Sequence, residues 1–97
     1  MSRKIIWSGD AKRDFSENID YLLKEWSVNE AVDFTDKAQS ILDKLPKNPE
    51  LFPETEYSGV RKCVVCKQIS LFYRVTKKEI TLLRFWNNWK DPDSLEL

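Results

Sequence analysis

Positive charge is concentrated in one third of this chain. Arg61, Lys62, Lys67, Arg74, Lys77, Lys78, Arg84 and Lys90 fall between Ser58 and Lys90, where Glu79 is the only acid. Guanidinium groups bind phosphate through two parallel hydrogen bonds, and ammonium groups act as point charges. Arg61, Lys62, Lys67 and Arg74 are therefore the residues around which metal-independent phosphodiester cleavage could be built. Such chemistry also needs an acid and a base in place. The chain contains no histidine, which removes the commonest general base near neutral pH and any histidine-based metal site. Tyr73 is in phase with Ile69, Leu71 and Val75 and reads as a packing residue, whereas Tyr57, in the loop before Gly59, is freer. Cys63 and Cys66 have C-x-x-C spacing, but residues three apart on a strand face opposite ways, and no further Cys or His completes a zinc site. Two reduced cysteines, with no metal and no cofactor, are the expectation.

The same cations can instead mark a partner surface. Zero net charge hides a segregation: from Glu30 to Glu56 the acids Glu30, Asp33, Asp36, Asp43, Glu50, Glu54 and Glu56 face only Lys37, Lys44 and Lys47. A basic region on an acidic one suits a polyanion or an acidic partner; it also suits two solvated faces of opposite sign. Trp86 and Trp89 bracket Asn87-Asn88, and an exposed tryptophan near arginines can anchor a partner or stack on a base. Trp86 reads as a plug at the end of a strand. Arg61, Phe72, Arg74, Arg84, Trp89 and Lys90 form the candidate partner-binding set.

The elements that position these groups follow from periodicity. Lys4 to Ser8 reads as a short strand. Asp10 is placed as the N-cap of a helix from about Ala11, with the stripe Ala11, Phe15, Ile19, Leu22, Leu23 and Trp26. Ser27 and Glu30 make a capping box for a second helix, striped by Val28, Ala31, Phe34 (or Thr35), Ala38, Ile41, Leu42 and Leu45. The link at Trp26-Ser27 permits only antiparallel neighbours, and Pro46 and Pro49 stop the second helix. Residues 46–59 read as an ordered loop pinned by Leu51, Phe52 and Tyr57. Strands are expected at 60–67, 69–75 and 79–86, with a turn at Thr76-Lys77-Lys78. In the last, Ile80 and Leu82 face one way and Leu83 and Phe85 the other, so this strand reads as central and covered on both sides.

The order is β-α-α-β-β-β, an α+β fold in which a helical hairpin packs on one face of a mainly antiparallel four-stranded sheet. The length fits one domain, residues 1–97. The other sheet face, with Phe72, Arg74 and Phe85, is either a binding surface or a small second core under the tail from Trp86 to Leu97. No apolar run approaches the ~20 residues that span a bilayer. Met1-Ser2-Arg3-Lys4-Ile5 lacks the apolar stretch of a secretion signal. A cytoplasmic protein is expected.

Taken in order, "IIWSGDAKRDF", "YLLKEWS", "LPKNPELFPE", "GVRKCVV", "SLFYRV" and "ITLLRFWNNWKDP" resemble the RelE/ParE superfamily, the toxins of bacterial type II toxin–antitoxin systems. The resemblance covers essentially the whole chain. It implies growth inhibition (by some members in plasmid stabilization) and a co-encoded antitoxin whose C-terminal segment orders on the toxin. It also implies one of two actions: ribosome-associated cleavage of mRNA, as in RelE-like members, or inhibition of DNA gyrase, as in ParE-like ones. RelE-like nucleases carry an arginine where this chain has Ser70, and a C-terminal Tyr or His-Tyr where this chain has neither. "FWNNWKDP" is similar to the ParE-like ending, with Asn87 in place of an Asp and Trp89 in place of an Arg. The resemblance thus points to a toxin that binds a target such as gyrase. An mRNA interferase built on Arg61, Lys62, Lys67 and Arg74, or an inactive toxin-like binding domain, are its alternatives. The antitoxin segment is expected to be acidic and apolar, lying on the open sheet face and the basic strands.

Overall fold

A computed structural model of the chain describes residues 3–91, 93–95 and 97. Met1 and Ser2 of the opening segment and Pro92 and Glu96 of the tail lie outside the described residues. The elements are β1 (Lys4–Trp7), α1 (Gly9–Glu25), α2 (Val28–Lys44), β2 (Val60–Val64), β3 (Ile69–Val75) and β4 (Glu79–Asn87). The fold is α+β: a helical hairpin on one face of a four-stranded sheet ordered β1-β4-β3-β2. Short connections make β2, β3 and β4 an antiparallel meander. β1 joins the far edge, parallel to β4, with Lys4 opposite Glu79 and Trp7 opposite Leu82. Intervening helices make this parallel pairing possible, since parallel neighbours need a long crossover. Among the described residues no helix is long and apolar enough to cross a membrane.

α1 starts two residues earlier than expected. Its N-cap is Ser8, whose hydroxyl accepts from Ala11 N–H at 3.0 Å, and Asp10 lies inside the first turn and pairs with Arg13. The inward face of α1 runs through Ala11, Asp14, Asn18 and Leu22, all buried. Leu23, about 100° round the helix from Leu22, is exposed. α2 is capped by Ser27, as the capping box predicts, and turns Ala31, Phe34 and Ala38 inward, with Thr35 off that face and Val28 exposed.

The main core lies between the hairpin and the sheet. Trp7, Phe15, Phe34 and Phe85 form its aromatic centre, with Trp7 stacked on Phe85 at 5.4 Å and Phe15 edge-on to Phe85 at 5.2 Å. The presence of Phe85 there corrects the expected phase of β4. Phe72 pairs with Arg84 but Tyr73 pairs with Leu82, so Leu83 is an extra residue, a β-bulge. The bulge shifts the alternation by one. Leu82 and Phe85 share the hairpin face, and Leu83 and Trp86 point to the other.

β2 ends at Val64, three residues short of the expected strand. Cys66 therefore sits in the turn to β3, where strand alternation does not apply, and both free cysteines contribute to the main core. The loop before β2 is ordered, but Leu51 is exposed. Phe52 and Tyr57 do pin the loop, packing against the two hydrophobic clusters, and backbone bonding along β2 adds to them: Thr55 N–H donates to Val60 O at 2.8 Å and Lys62 N–H to Pro53 O at 3.1 Å. Tyr73 hydroxyl donates to Pro49 O at 3.0 Å. Gly59, at φ 75°, supplies the left-handed residue that turns this loop into β2.

Burial pushes the Cys63 thiol up to about 11. The unfolded thiol ionises first, so the native state binds more protons between about 9 and 11 and loses stability as pH rises through that window. Cys63→Ala should flatten this part of the stability profile in urea titrations at pH 8 and pH 10.5. Native protein treated with iodoacetamide at pH 8 should be alkylated at Cys66 well before Cys63, as read by peptide mass mapping.

Candidate functional site

The cationic side chains of β2, β3 and β4 divide between two faces and two ends of the sheet. Arg61 points to the hairpin side. Its Nη1 donates to Phe52 O at 2.7 Å and its Nη2 pairs with Glu54 at 3.3 Å, so it clasps the loop to β2. Lys62 is on the open face, with Nζ 5.8 Å from the centre of the Phe72 ring. Lys67, in the β2–β3 turn, places Nζ 4.4 Å from the Trp26 ring and 5.9 Å from Trp89. Arg74 is exposed on the open face, in a shallow depression with Ser8, Asp10 and Leu83. Arg61, Lys62, Lys67 and Arg74 thus meet at no common point, and only Lys62 and Arg74 share a surface.

Arg84 and Asp14 form a buried-edge ion pair. Arg84 Nε and Nη2 donate to the Asp14 carboxylate at 2.6 and 2.9 Å, and the guanidinium lies 4.9 Å above the Trp86 ring. The hydrogen bond to Asp14 raises the Arg84 pKa further above its ordinary value. Asp14 also accepts from Phe85 N–H at 3.2 Å, and Asn18 Nδ2 donates to Phe85 O at 2.8 Å. Asn87 joins this network through Asn18 Oδ1, and its own Oδ1 caps Trp89 and Lys90 N–H. Lys90 is exposed, and Trp89, 54% exposed, leans edge-on against Trp26 at 4.9 Å. Asp14 and Asn18 were not singled out from the sequence. Their signal was available: both occupy the apolar stripe of α1, four residues apart, where a polar side chain needs a partner.

The open face is less bare than its sequence suggests. Phe72 is only 5% exposed and packs with Val60 and Trp86, with Tyr57, Leu83 and Leu95 around them. A small second core beneath the tail therefore occupies the middle of this face, and Phe85 is not on it. Beside that core runs a groove of about 820 Å³ between the 52–57 loop, β2 and the tail.

Carboxylates do lie near some cations, Glu54, Glu56 and Asp93 with Lys62 and Asp10 with Arg74, but neither Tyr57 nor Tyr73 stands free beside them. Tyr73 is fully buried with its hydroxyl engaged, and burial raises its pKa. Tyr57 is partly buried in the second cluster. Among the described residues, no three Cys, Asp or Glu side chains are grouped to hold a metal ion.

Comparison with known proteins places the chain. The model described as "ParE toxin of type II toxin-antitoxin system, parDE" matches residues 5–92. The fold resembles a chain of a chromosomal ParDE system from P. aeruginosa, with TM-score 0.72 and 20% identity over 89% of this chain and 96% of that one. It also resembles a chain of the E. coli DinJ–YafQ complex, with TM-score 0.63 and 18% identity over 94% and 98%. A YoeB dimer from Staphylococcus aureus gives TM-score 0.60 and 15% identity over 88% and 95%. No curated protein matches in sequence.

Removing the Asp14 carboxylate leaves Arg84 unpaired and Phe85 N–H without its acceptor. Asp14→Ala should cost about 3 kcal/mol of unfolding free energy. Asp14→Asn, which keeps an acceptor for Phe85 N–H, should cost roughly half of that. Chemical denaturation of both variants checks the order.

Proposed function

Since this chain belongs to the ParE toxin family of type II toxin–antitoxin systems, we propose that it arrests growth by binding a cellular target, DNA gyrase, without cutting RNA. A co-encoded antitoxin neutralises it. The observation that carries the non-nucleolytic reading is the dispersal of its cations. Arg61 is committed to Phe52 O and Glu54, Arg84 to Asp14, and Lys67 to the Trp26 ring. A metal-independent nuclease needs several charged groups and an acid–base pair around one phosphate. Here the tyrosine nearest the basic strands is bonded to a backbone carbonyl in the core. Absence of histidine from the sequence supports the same reading.

For the antitoxin, Arg74 is the open-face arginine still available to an acidic segment, because it makes no ion pair among the described residues. Phe72 has little area left to offer, and Arg84 would have to leave Asp14. This supports an antitoxin contact on the Arg74 side of β3. Trp89 and Lys90, at the end of β4 beside the helical hairpin, form a separate exposed spot suited to the target.

Purified protein should inhibit supercoiling by gyrase while leaving mRNA on translating ribosomes intact; cleaved mRNA with normal supercoiling would overturn the proposal. Arg74→Glu should weaken binding to the protein encoded by the adjacent reading frame by about tenfold or more. Lys12→Glu, on the exposed side of α1, should change that affinity by less than about twofold. Isothermal titration of both variants makes the comparison.

A further inference from the structure

The chain's own tail covers part of the open face. Leu95 packs on the second cluster of Val60, Phe72 and Trp86. Asp93 lines the groove beside the 52–57 loop and β2, and Leu97 lines the depression that holds Arg74, Leu83 and Arg84. Asp93, Leu95 and Leu97 are thus spaced over this face from the β2 side to β4. Extended chain turns every second side chain the same way, and four residues of it, at ~3.3 Å each, are long enough to cross two gaps of ~4.8 Å between strands.

This tail is lightly held. Among the described residues, no backbone hydrogen bond and no ion pair joins residues 93–97 to the rest of the fold. The 52–57 loop, by contrast, is tied along β2 by backbone bonds. Two leucines seat the tail, and Leu97 is still 39% exposed. A segment with few buried apolar contacts and no backbone bonding opens at little cost in free energy.

Its chemistry is that of the partner expected here. Asp93-Ser94-Leu95-Glu96-Leu97 carries two acids and two leucines and no cation. Lys62 shares the groove with Asp93 and Leu95, and Arg74 shares the depression with Leu97. An acidic and apolar segment is also what Arg74 suits in an antitoxin.

We propose that residues 93–97 occupy the seat of the antitoxin segment, and that the antitoxin binds the open face by exchange. Its own acidic, leucine-bearing stretch lifts this tail and puts a leucine where Leu95 lies. The exchange rests on the reading that the antitoxin contacts the Arg74 side of β3. The incoming leucine needs only the area that Leu95 already covers, so neither Phe72 nor Trp86 has to be exposed beforehand. Because tail and antitoxin compete, the apparent affinity is reduced by the fraction of molecules whose face is open.

A fluorescein-labelled peptide with three tandem copies of Asp-Ser-Leu-Glu-Leu tests this by fluorescence anisotropy. Leu95→Ser/Leu97→Ser loosens the tail and leaves its acids in place. It should bind the peptide at least about tenfold more tightly than the unaltered chain does. Leu97→Ser alone, at a site already partly exposed, should give a smaller gain of about threefold. That single variant decides if the double one loses cooperative unfolding. The same peptide with serine for leucine should show no gain, because the seats on offer fit leucine. An equal or lower affinity in the leucine variants, or an equal gain for the serine peptide, overturns the proposal and leaves the Arg74 contact to the titration described above. Adding Arg74→Glu to the double variant separates the exchange from that contact. A loss of about tenfold supports both; a gain that survives Arg74→Glu keeps the exchange and overturns the contact.

Discussion

Beyond Leu82, β4 runs on without a strand on its β1 side, because β1 ends at Trp7. Backbone groups left bare at that depth would each cost free energy comparable to a lost hydrogen bond. α1 supplies the missing partners. Ser8 N–H donates to Leu82 O and its hydroxyl to Leu83 O; Asp14 accepts from Phe85 N–H, and Asn18 donates to Phe85 O. One helix turn after another thus stands in for a strand. Ser8 serves twice, since the same hydroxyl caps α1. The arrangement fixes the start of the helix and its height over the sheet together. It also puts a carboxylate where it needs a cation, and Arg84 reaches round the strand edge to provide one.

The bulge at Leu83 is the second constraint. By shifting the phase of β4 it delivers Phe85 to the aromatic centre and Trp86 to the opposite face. Without it, the fully buried Phe85 would face away from Trp7, Phe15 and Phe34. The same shift places Leu83 and Arg84 together on the open face, where Arg84 covers Trp86. A polar network on one side of β4 and a packed cluster on the other therefore both depend on one extra residue.

These devices shape the surface available to partners. Binding a partner needs exposed, unengaged groups, and three of the eight basic residues between Ser58 and Lys90 are engaged within the fold. Arg61 holds a loop, Arg84 holds a helix, and Lys67 sits over Trp26. What remains exposed includes Lys62, Arg74, Lys77 and Lys78, the Trp89–Lys90 corner, and an apolar groove rimmed by acids. The exposed surface is thereby divided into patches of differing sign, an arrangement that favours discrimination between partners over raw attraction.

Element type and order were readable from residue spacing alone: the Ser27 cap, the inward Ala31, Phe34 and Ala38, the alternation of β3, and the buried role of Tyr73. These depend on local geometry, a helix of 3.6 residues per turn or a strand of two, which neighbouring residues dictate by themselves. Basic residues clustered in sequence were equally plain, but their clustering in space was not. Whether Arg61 meets a phosphate or a carbonyl depends on where the loop before it returns. Pairing of β1 with β4, the bulge at Leu83 and the duty of Asp14 and Asn18 were decided only when α1 came down on an incomplete strand edge. Such contacts join residues about 70 positions apart, and no local pattern encodes the end of one strand against the length of another.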